Sequence, residues 1–399
     1  MATVSKLVEK LSPSSTLMMT QRASEMKAAG IDVINLSIGE PDFPTPDHIS
    51  RAAHEAIDNH ITHYTPIDGF LSLREAICRK LKNENLLDYS PDQIVVSGGA
   101  KQAICNVILS LVDEGDEVLL PSPCWLSYPQ MVLMAGGTPV DIPSTVDDDY
   151  KLLPSALEAA ITPRTKLMVL CSPSNPTGSV YTRDELEALA EVLRRHPQVF
   201  IVSDEIYEHI RYNDAPYCSL AQFADLKDRV IIINGVSKAY AMTGWRIGWL
   251  AAEKSIAKAC KKLQGQYTSC ASSVSQMAAL EAYNGDQTCV REMRDIFRHR
   301  RDVVLQLAAE LPDVRYNKPD GAFYLMLDVS AYIGRQYNGK VIANSSELTM
   351  FLLETRHVTC VDGAPFGAPG TIRLSYATTE DDIREAFRRI KDALGLLKA

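Results

Sequence analysis

Seven short apolar runs, each bounded by turn-forming residues, constrain this chain more than any other feature: 94–96, 117–120, 138–142, 165–171, 199–203, 230–233 and 246–252. They are too short for buried helices and several are rich in β-branched residues, so each reads as a strand. Helical patterns lie between several of them, as at 100–112 and 182–195. Strands alternating with helices predict an α/β layer on a seven-stranded, mostly parallel sheet. At 399 residues the chain outgrows one simple core, and two domains are expected. A charged amphipathic helix at 288–311 leads out of the first unit, and strand-like runs follow at 321–327, 358–361 and 372–376. Thr379, with Asp382 three residues on, caps a last helix carrying Ile383, Ala386, Phe387 and Ile390 on one face. These elements predict a smaller α+β domain formed by residues 288–399 with residues 1–45 packed on it and not on the sheet. Residues 46–287 form the larger domain, and Thr45-Pro46 reads as a helix cap followed by a first-turn proline.

Composition removes several classes of function. The formal net charge is −9 and no Lys/Arg block tracks a phosphate backbone, so nucleic acid is not an expected partner. Nine scattered cysteines, an odd number with no C-x-x-C pair, point to a reducing cytoplasm and away from a disulfide framework or a zinc site. No metal is expected. No apolar stretch follows Met1 and no 18-residue apolar run occurs, so the expectation is a protein neither secreted nor embedded in a membrane.

In an open α/β sheet, ligands bind outside the carboxyl ends of the strands. The first run ends in Ser97-Gly98-Gly99 and passes into a helix at Ala100-Lys101, which offers free amides and a positive helix end to a phosphate. The fourth ends in the turn Ser172-Pro173-Ser174-Asn175-Pro176-Thr177-Gly178. The fifth ends in Asp204-Glu205-Ile206-Tyr207, where Asp204 reads either as a helix cap or, with Tyr207 on the same helical face, as a site residue. The sixth leads to Ser237-Lys238, and Arg246 follows eight residues later. A lysine pinned between two buried strands loses hydration, which lowers its pKa and frees the nucleophilic amine. The bland alternative is a solvated loop lysine. Pyridoxal 5'-phosphate requires a lysine for its aldehyde, an acid for its ring nitrogen, a cationic, amide-lined phosphate cup and an aromatic face. Lys238, Asp204, Arg246 with Ser237 and the 100–101 amides, and Trp125 supply that set.

The stretch 235–248 around Lys238 resembles the lysine-attachment motif of the class I aminotransferases, which are fold type I pyridoxal-phosphate enzymes. Residues 38–43, 64–69, 123–129, 175–178, 204–207 and 373–376 are also similar to segments of that family, in the family's order, so the resemblance spans nearly the whole chain. It implies that Lys238 is the Schiff-base lysine and moves the proton of the substrate α-carbon. Asp204 would pair with the ring nitrogen, and Tyr207 and Asn175 with the phenolic oxygen. Arg246, Ser237, the Ala100 and Lys101 amides, and Tyr64 reaching across a homodimer interface would hold the phosphate. Trp125 would stack on the ring, and Arg373, assisted by the Gly39 backbone and Asn175, would grip the substrate carboxylate by a bidentate fork.

Within that family the chain looks most like bacterial aspartate aminotransferase. Lys101 matches a lysine that contacts the distal carboxylate of acidic substrates, so the expected reaction is ping-pong transfer between L-aspartate and 2-oxoglutarate. Ser12 stands where some relatives carry a basic residue before the proline, which weakens an extension to bulkier dicarboxylates such as prephenate. Aromatic, prephenate or alanine-type transamination and a β-elimination lyase are the alternatives on the same fold. A DNA-binding regulator lacks a basic module before Gly39, and a dinucleotide dehydrogenase lacks G-x-G-x-x-G after the first strand.

Overall fold

The computed structural model describes residues 4–12 and 15–398, residues 15–17 by their backbone alone. Pro13 and Ser14, part of the segment that departs at Ser12, lie outside the described residues, as do the first three residues of the N-terminal stretch. The seven runs form one sheet whose strands lie in the spatial order Ile94–Ser97, Gly248–Ala251, Val230–Gly235, Phe200–Asp204, Thr165–Cys171, Glu117–Ser122 and Thr138–Pro143. All neighbours are parallel except Gly248–Ala251, which runs antiparallel to both strands beside it. Alternate residues feed opposite cores: Leu170 and Ile232 pack on one face, while Val169, Ile231 and Ile233 pack on the other. Burial on both faces is why these strands read as continuous apolar runs.

Local chemistry fixes the helices that frame the sheet. Arg183–Arg195 starts at a reciprocal cap, in which Glu185 N donates to Thr182 Oγ1 at 3.3 Å and Thr182 N donates to the Glu185 carboxylate at 2.7 Å. Ala100–Leu111 starts after Gly99, whose φ of 97° favours glycine.

A second, antiparallel sheet orders Val361–Asp362, Thr371–Ser375, Tyr324–Asp328 and Arg315–Tyr316. The Glu380–Leu394 helix covers it, with Asp382 N donating to Thr379 Oγ1 at 3.1 Å as the cap chemistry predicts. Three expectations change here. The run 358–361 is two strands: Val358–Thr359 pairs in parallel with Ile34–Asn35, whereas Val361–Asp362 joins the antiparallel sheet. The run at 321 becomes a strand only from Tyr324, because Gly321 N and Ala322 N are taken by Gly178 O and Ile210 O and Ala322 sits at φ 54°. Thr45 caps nothing; its hydroxyl donates to Ala241 O at 2.9 Å and accepts from Trp245 Nε1 at 2.9 Å. The N-terminal segment also touches both units, since Ser12 N donates to Gln130 Oε1 at 3.0 Å on the Ser127–Met134 helix beside the large sheet. Among the described residues no helix is long and apolar enough to cross a membrane.

A buried ionic knot ties the Leu71–Asn85 helix to the strand ends. Lys80 is ion-paired with Glu208, and Asn85 Nδ2 and Asn234 Nδ2 each donate to the Glu208 carboxylate at 2.7 Å. Burial pushes the Glu208 carboxyl up, but the charges of Lys80 and His209 and the hydrogen bonds from Lys80 and Asn85 outweigh it and hold it below the usual carboxylate range. Lys80→Met, which leaves Glu208 buried without its counter-charge, is expected to cost about 3–5 kcal/mol in chemical denaturation. Adding Glu208→Leu should recover most of that loss.

Candidate active site

The carboxyl ends of the parallel strands open into a cavity of about 410 Å³. Every residue singled out from the sequence lines it except Tyr64, whose side chain stands 91 % exposed and away from it. Lys238 lies in the loop after Val230–Gly235, with Nζ donating to Gly39 O at 2.5 Å and placed 5.9 Å from the Tyr207 ring and 6.0 Å from the Phe323 ring. Gly39 thus presents a carbonyl to the lysine. Burial drags the amine down to about 8, against the pull of Glu40 and Asp204 and with the push of Arg246 and Arg373.

The loop that carries Lys238 is held under backbone strain. Ala241 and Arg246 sit at φ 51° and 57°, a region non-glycine residues seldom occupy. Thr45 anchors Ala241, and Thr243 Oγ1 donates to Glu40 Oε2 at 2.7 Å. Arg246 Nη1 donates to Thr243 O at 2.9 Å and Nη2 to Gly98 O at 3.2 Å, so the guanidinium lies against the glycine turn that opens the Ala100 helix. A Cβ on Gly99 would lie 2.3 Å from Arg246 Nη2, and one on Gly248 2.2 Å from Ala100 N. Only glycines let a cation, a helix start and a strand start converge so closely.

Asp204, at the end of its strand, is buried. Tyr128 donates to Oδ2 at 2.6 Å and Ile206 N to Oδ1 at 3.2 Å. Burial pushes the carboxyl up to about 6, opposed by these two donors and by Lys238. Tyr207 shares the cavity with Asp204 and its hydroxyl meets that of Tyr324 at 2.9 Å. Arg373, on the Thr371–Ser375 strand, is 2 % exposed; Nη1 donates to Asn175 Oδ1 at 3.0 Å and Nη2 to Ser37 O at 2.8 Å. Its Nε has no partner, and among the described residues no carboxylate pairs with it. A buried guanidinium without a counter-charge carries a desolvation penalty that pairing with an anion would offset. Lys101 Nζ stands 5.2 Å over the Trp125 ring, and burial together with Arg246 lowers its pKa.

The family model for aminotransferases of class I and II matches residues 31–390. The chain belongs to this family. It is 47% identical over 393 residues to the aspartate/prephenate aminotransferase of Cereibacter sphaeroides, covering 98% of each chain. To the bifunctional aspartate aminotransferase and glutamate/aspartate-prephenate aminotransferase of Petunia hybrida it is 46% identical, covering 99% of this chain and 83% of that one. Among solved structures, aspartate aminotransferase from Rhizobium meliloti superposes with a TM-score of 0.96 at 41% identity over 100% of both chains. The Thermus thermophilus enzyme with maleate gives 0.92 at 37% identity, over 98% of this chain and 100% of that one.

This aminotransferase uses pyridoxal 5'-phosphate, and the cavity suits it. Arg246, Ser237 and the helix start at Ala100, which line the cavity together because Gly99 and Gly248 let them approach, fit a phosphate, the buried Asp204 fits a ring nitrogen, and Lys238 fits an aldehyde. Glu40, Tyr128 and Tyr324 are among the lining residues to which the sequence assigns no role. Tyr128 lies three residues after Trp125, and the helical spacing carries that signal. Glu40 adjoins Gly39. Tyr324 gives no signal, since only the strand register turns it toward the cavity.

Because only the neutral amine combines with an aldehyde, cofactor uptake by the cofactor-free aminotransferase should accelerate as pH rises through about 8. Stopped-flow absorbance measures this, and Lys238→Ala should abolish both the imine band and turnover. A rate flat between pH 7 and 9, or full activity in the variant, assigns the chemistry elsewhere.

Proposed function

We propose that this aminotransferase exchanges the amino group between L-aspartate and 2-oxoglutarate, giving oxaloacetate and L-glutamate by a ping-pong mechanism. The observation that carries this reading is the charge of the cavity: Arg373, buried with an unpaired Nε, and Lys101 both line it beside Lys238 and Arg246, against only Asp204 and Glu40. That excess of cations suits a phosphate together with a dicarboxylate.

When bound, the cofactor supplies an aldehyde for the substrate amine and a ring that accepts the electrons of the α-carbon. The residues divide the remaining work. Lys238 Nζ, brought by burial toward neutrality near working pH, takes the α-proton and returns it. Asp204 would keep a proton on the ring nitrogen, while Tyr207 and Asn175 would bond the phenolic oxygen. Trp125, which lines the cavity, would cover one ring face. Arg246, Ser237 and the amides of Ala100 and Lys101 hold the phosphate, joined by Tyr64 of a second copy in a homodimer. The exposure of Tyr64 in the single chain supports that placement. Arg373, Asn175 and the Gly39 backbone hold the α-carboxylate, and Lys101 the distal one, where a flexible ammonium serves both chain lengths of substrate. The domains divide at residues 46 and 288, and the enzyme works in the cytoplasm.

A second reading, transamination that also takes prephenate, is supported by the name of the Cereibacter sphaeroides relative. Half-reaction rates with aspartate, glutamate plus prephenate, phenylalanine and alanine separate the readings. Aspartate no better than alanine would defeat the first. Lys101→Ala should lower kcat/KM for aspartate by about 10–100-fold, mostly through KM, and leave alanine within about threefold. An equal loss on both substrates would reassign Lys101 to the cofactor.

A further inference from the structure

We propose that Tyr128 is a positioning residue for the cofactor, its hydroxyl donating to Asp204 so that the shared proton stays on the ring nitrogen and not on the carboxyl. The inference rests on the assignment of Asp204 to that nitrogen. Tyr128 is 1 % exposed, its ring lies edge-on to Trp125 with centroids 5.4 Å apart at 90°, and its hydroxyl meets Asp204 Oδ2 at 2.6 Å. Tyr128 N donates to Trp125 O at 3.0 Å, so one helical turn sets both the aromatic that faces the cavity and the donor beneath Asp204.

The groups facing the Asp204 carboxylate are few. Tyr128 comes from the Ser127–Met134 helix, Cys171 from the end of the neighbouring strand, and Lys238 from the loop after Val230–Gly235. The backbone amide of Ile206 serves Oδ1. The Cys171 thiol donates to Pro173 O at 3.3 Å, its pKa raised by burial and by Asp204, so it brings no charge to the carboxylate. Lys238 is the group consumed when the cofactor binds, because its amine becomes part of an imine. Tyr128 therefore remains as the side-chain donor to Asp204. Burial, and then Asp204 itself, keep its phenol well above its ordinary value, so it retains its own proton and only donates.

The proton balance is simple. One proton is shared between the Asp204 carboxyl and the ring nitrogen; a hydrogen bond to the charged carboxylate favours the nitrogen as its seat, and loss of that bond favours the carboxyl. A protonated nitrogen is what makes the ring an electron sink.

Tyr128→Phe removes one oxygen and keeps the ring. In the reconstituted enzyme carrying cofactor labelled with 15N in the ring, the nitrogen signal is expected to move from the pyridinium range toward neutral pyridine. Cofactor affinity, read by fluorescence, should fall roughly tenfold. In an Asp204→Asn background the same substitution should change neither readout further. If Asp204→Asn itself leaves signal and affinity as in the parent enzyme, the assignment of Asp204 fails and the proposal with it. If Asp204→Asn alters both but Tyr128→Phe alters neither, or acts equally in the two backgrounds, the role of Tyr128 is overturned and that of Asp204 stands. Should the phenylalanine variant not fold, 3-fluorotyrosine at 128, a stronger donor, must move the signal further into the pyridinium range, and an unchanged signal overturns the proposal.

Discussion

One antiparallel strand organises this molecule. Gly248–Ala251 enters the sheet between Ile94–Ser97 and Val230–Gly235, running against both. Its first residues therefore lie where both neighbours end. That reversal sets Arg246 beside the Gly98–Gly99 turn and brings the start of the Ala100 helix and the loop of Lys238 to the same edge. The approach is so close that Gly235 and Gly248 pair directly, and a Cβ on Gly235 would stand 2.7 Å from the Gly248 Cα. A fully parallel arrangement would have carried Arg246 to the opposite end of the sheet.

Burial then does opposite things to two neighbours. It lowers the Lys238 amine to about 8 and raises the Asp204 carboxyl to about 6, in each case by penalising the charged form. Each tempers the shift of the other, and Tyr128 and Ile206 N add bonds that favour the Asp204 carboxylate. The result is a carboxyl and an amine that both titrate near neutral pH. Arg373 shows the same economy of partners: Asn175 and Ser37 hold two of its nitrogens and the third, Nε, has none.

Much of this was legible in the residues. The seven apolar runs mark the seven strands to within about two residues, because burial on both faces forces continuous hydrophobicity. Lys238, Asp204 and Asn175 stand at or just beyond strand ends, where an α/β sheet binds ligands, whereas Arg373 reaches the cavity from the middle of a strand of the small antiparallel sheet. The misreadings share one cause. Thr45 has the chemistry of a cap and 358–361 that of one strand, yet Thr45 Oγ1 is taken by Ala241 and Trp245, and the two halves of 358–361 find partners in different sheets. Local preference yields wherever a distant group offers a better bond.

The amino-acid sequence alone determined the α/β class, the strand positions and the residue types at their ends, because hydrophobic period and turn chemistry are local properties. The tertiary structure decided which of those ends meet. Only folding brings Gly39 to the Lys238 amine across 199 positions and Ser37 to Arg373 across 336. It also decided that Tyr128 faces Asp204 and Tyr324 faces Tyr207. Burial and charge at such contacts depend on neighbours far along the chain, and the pKa values that make the lysine an amine and the aspartate a proton partner arise there.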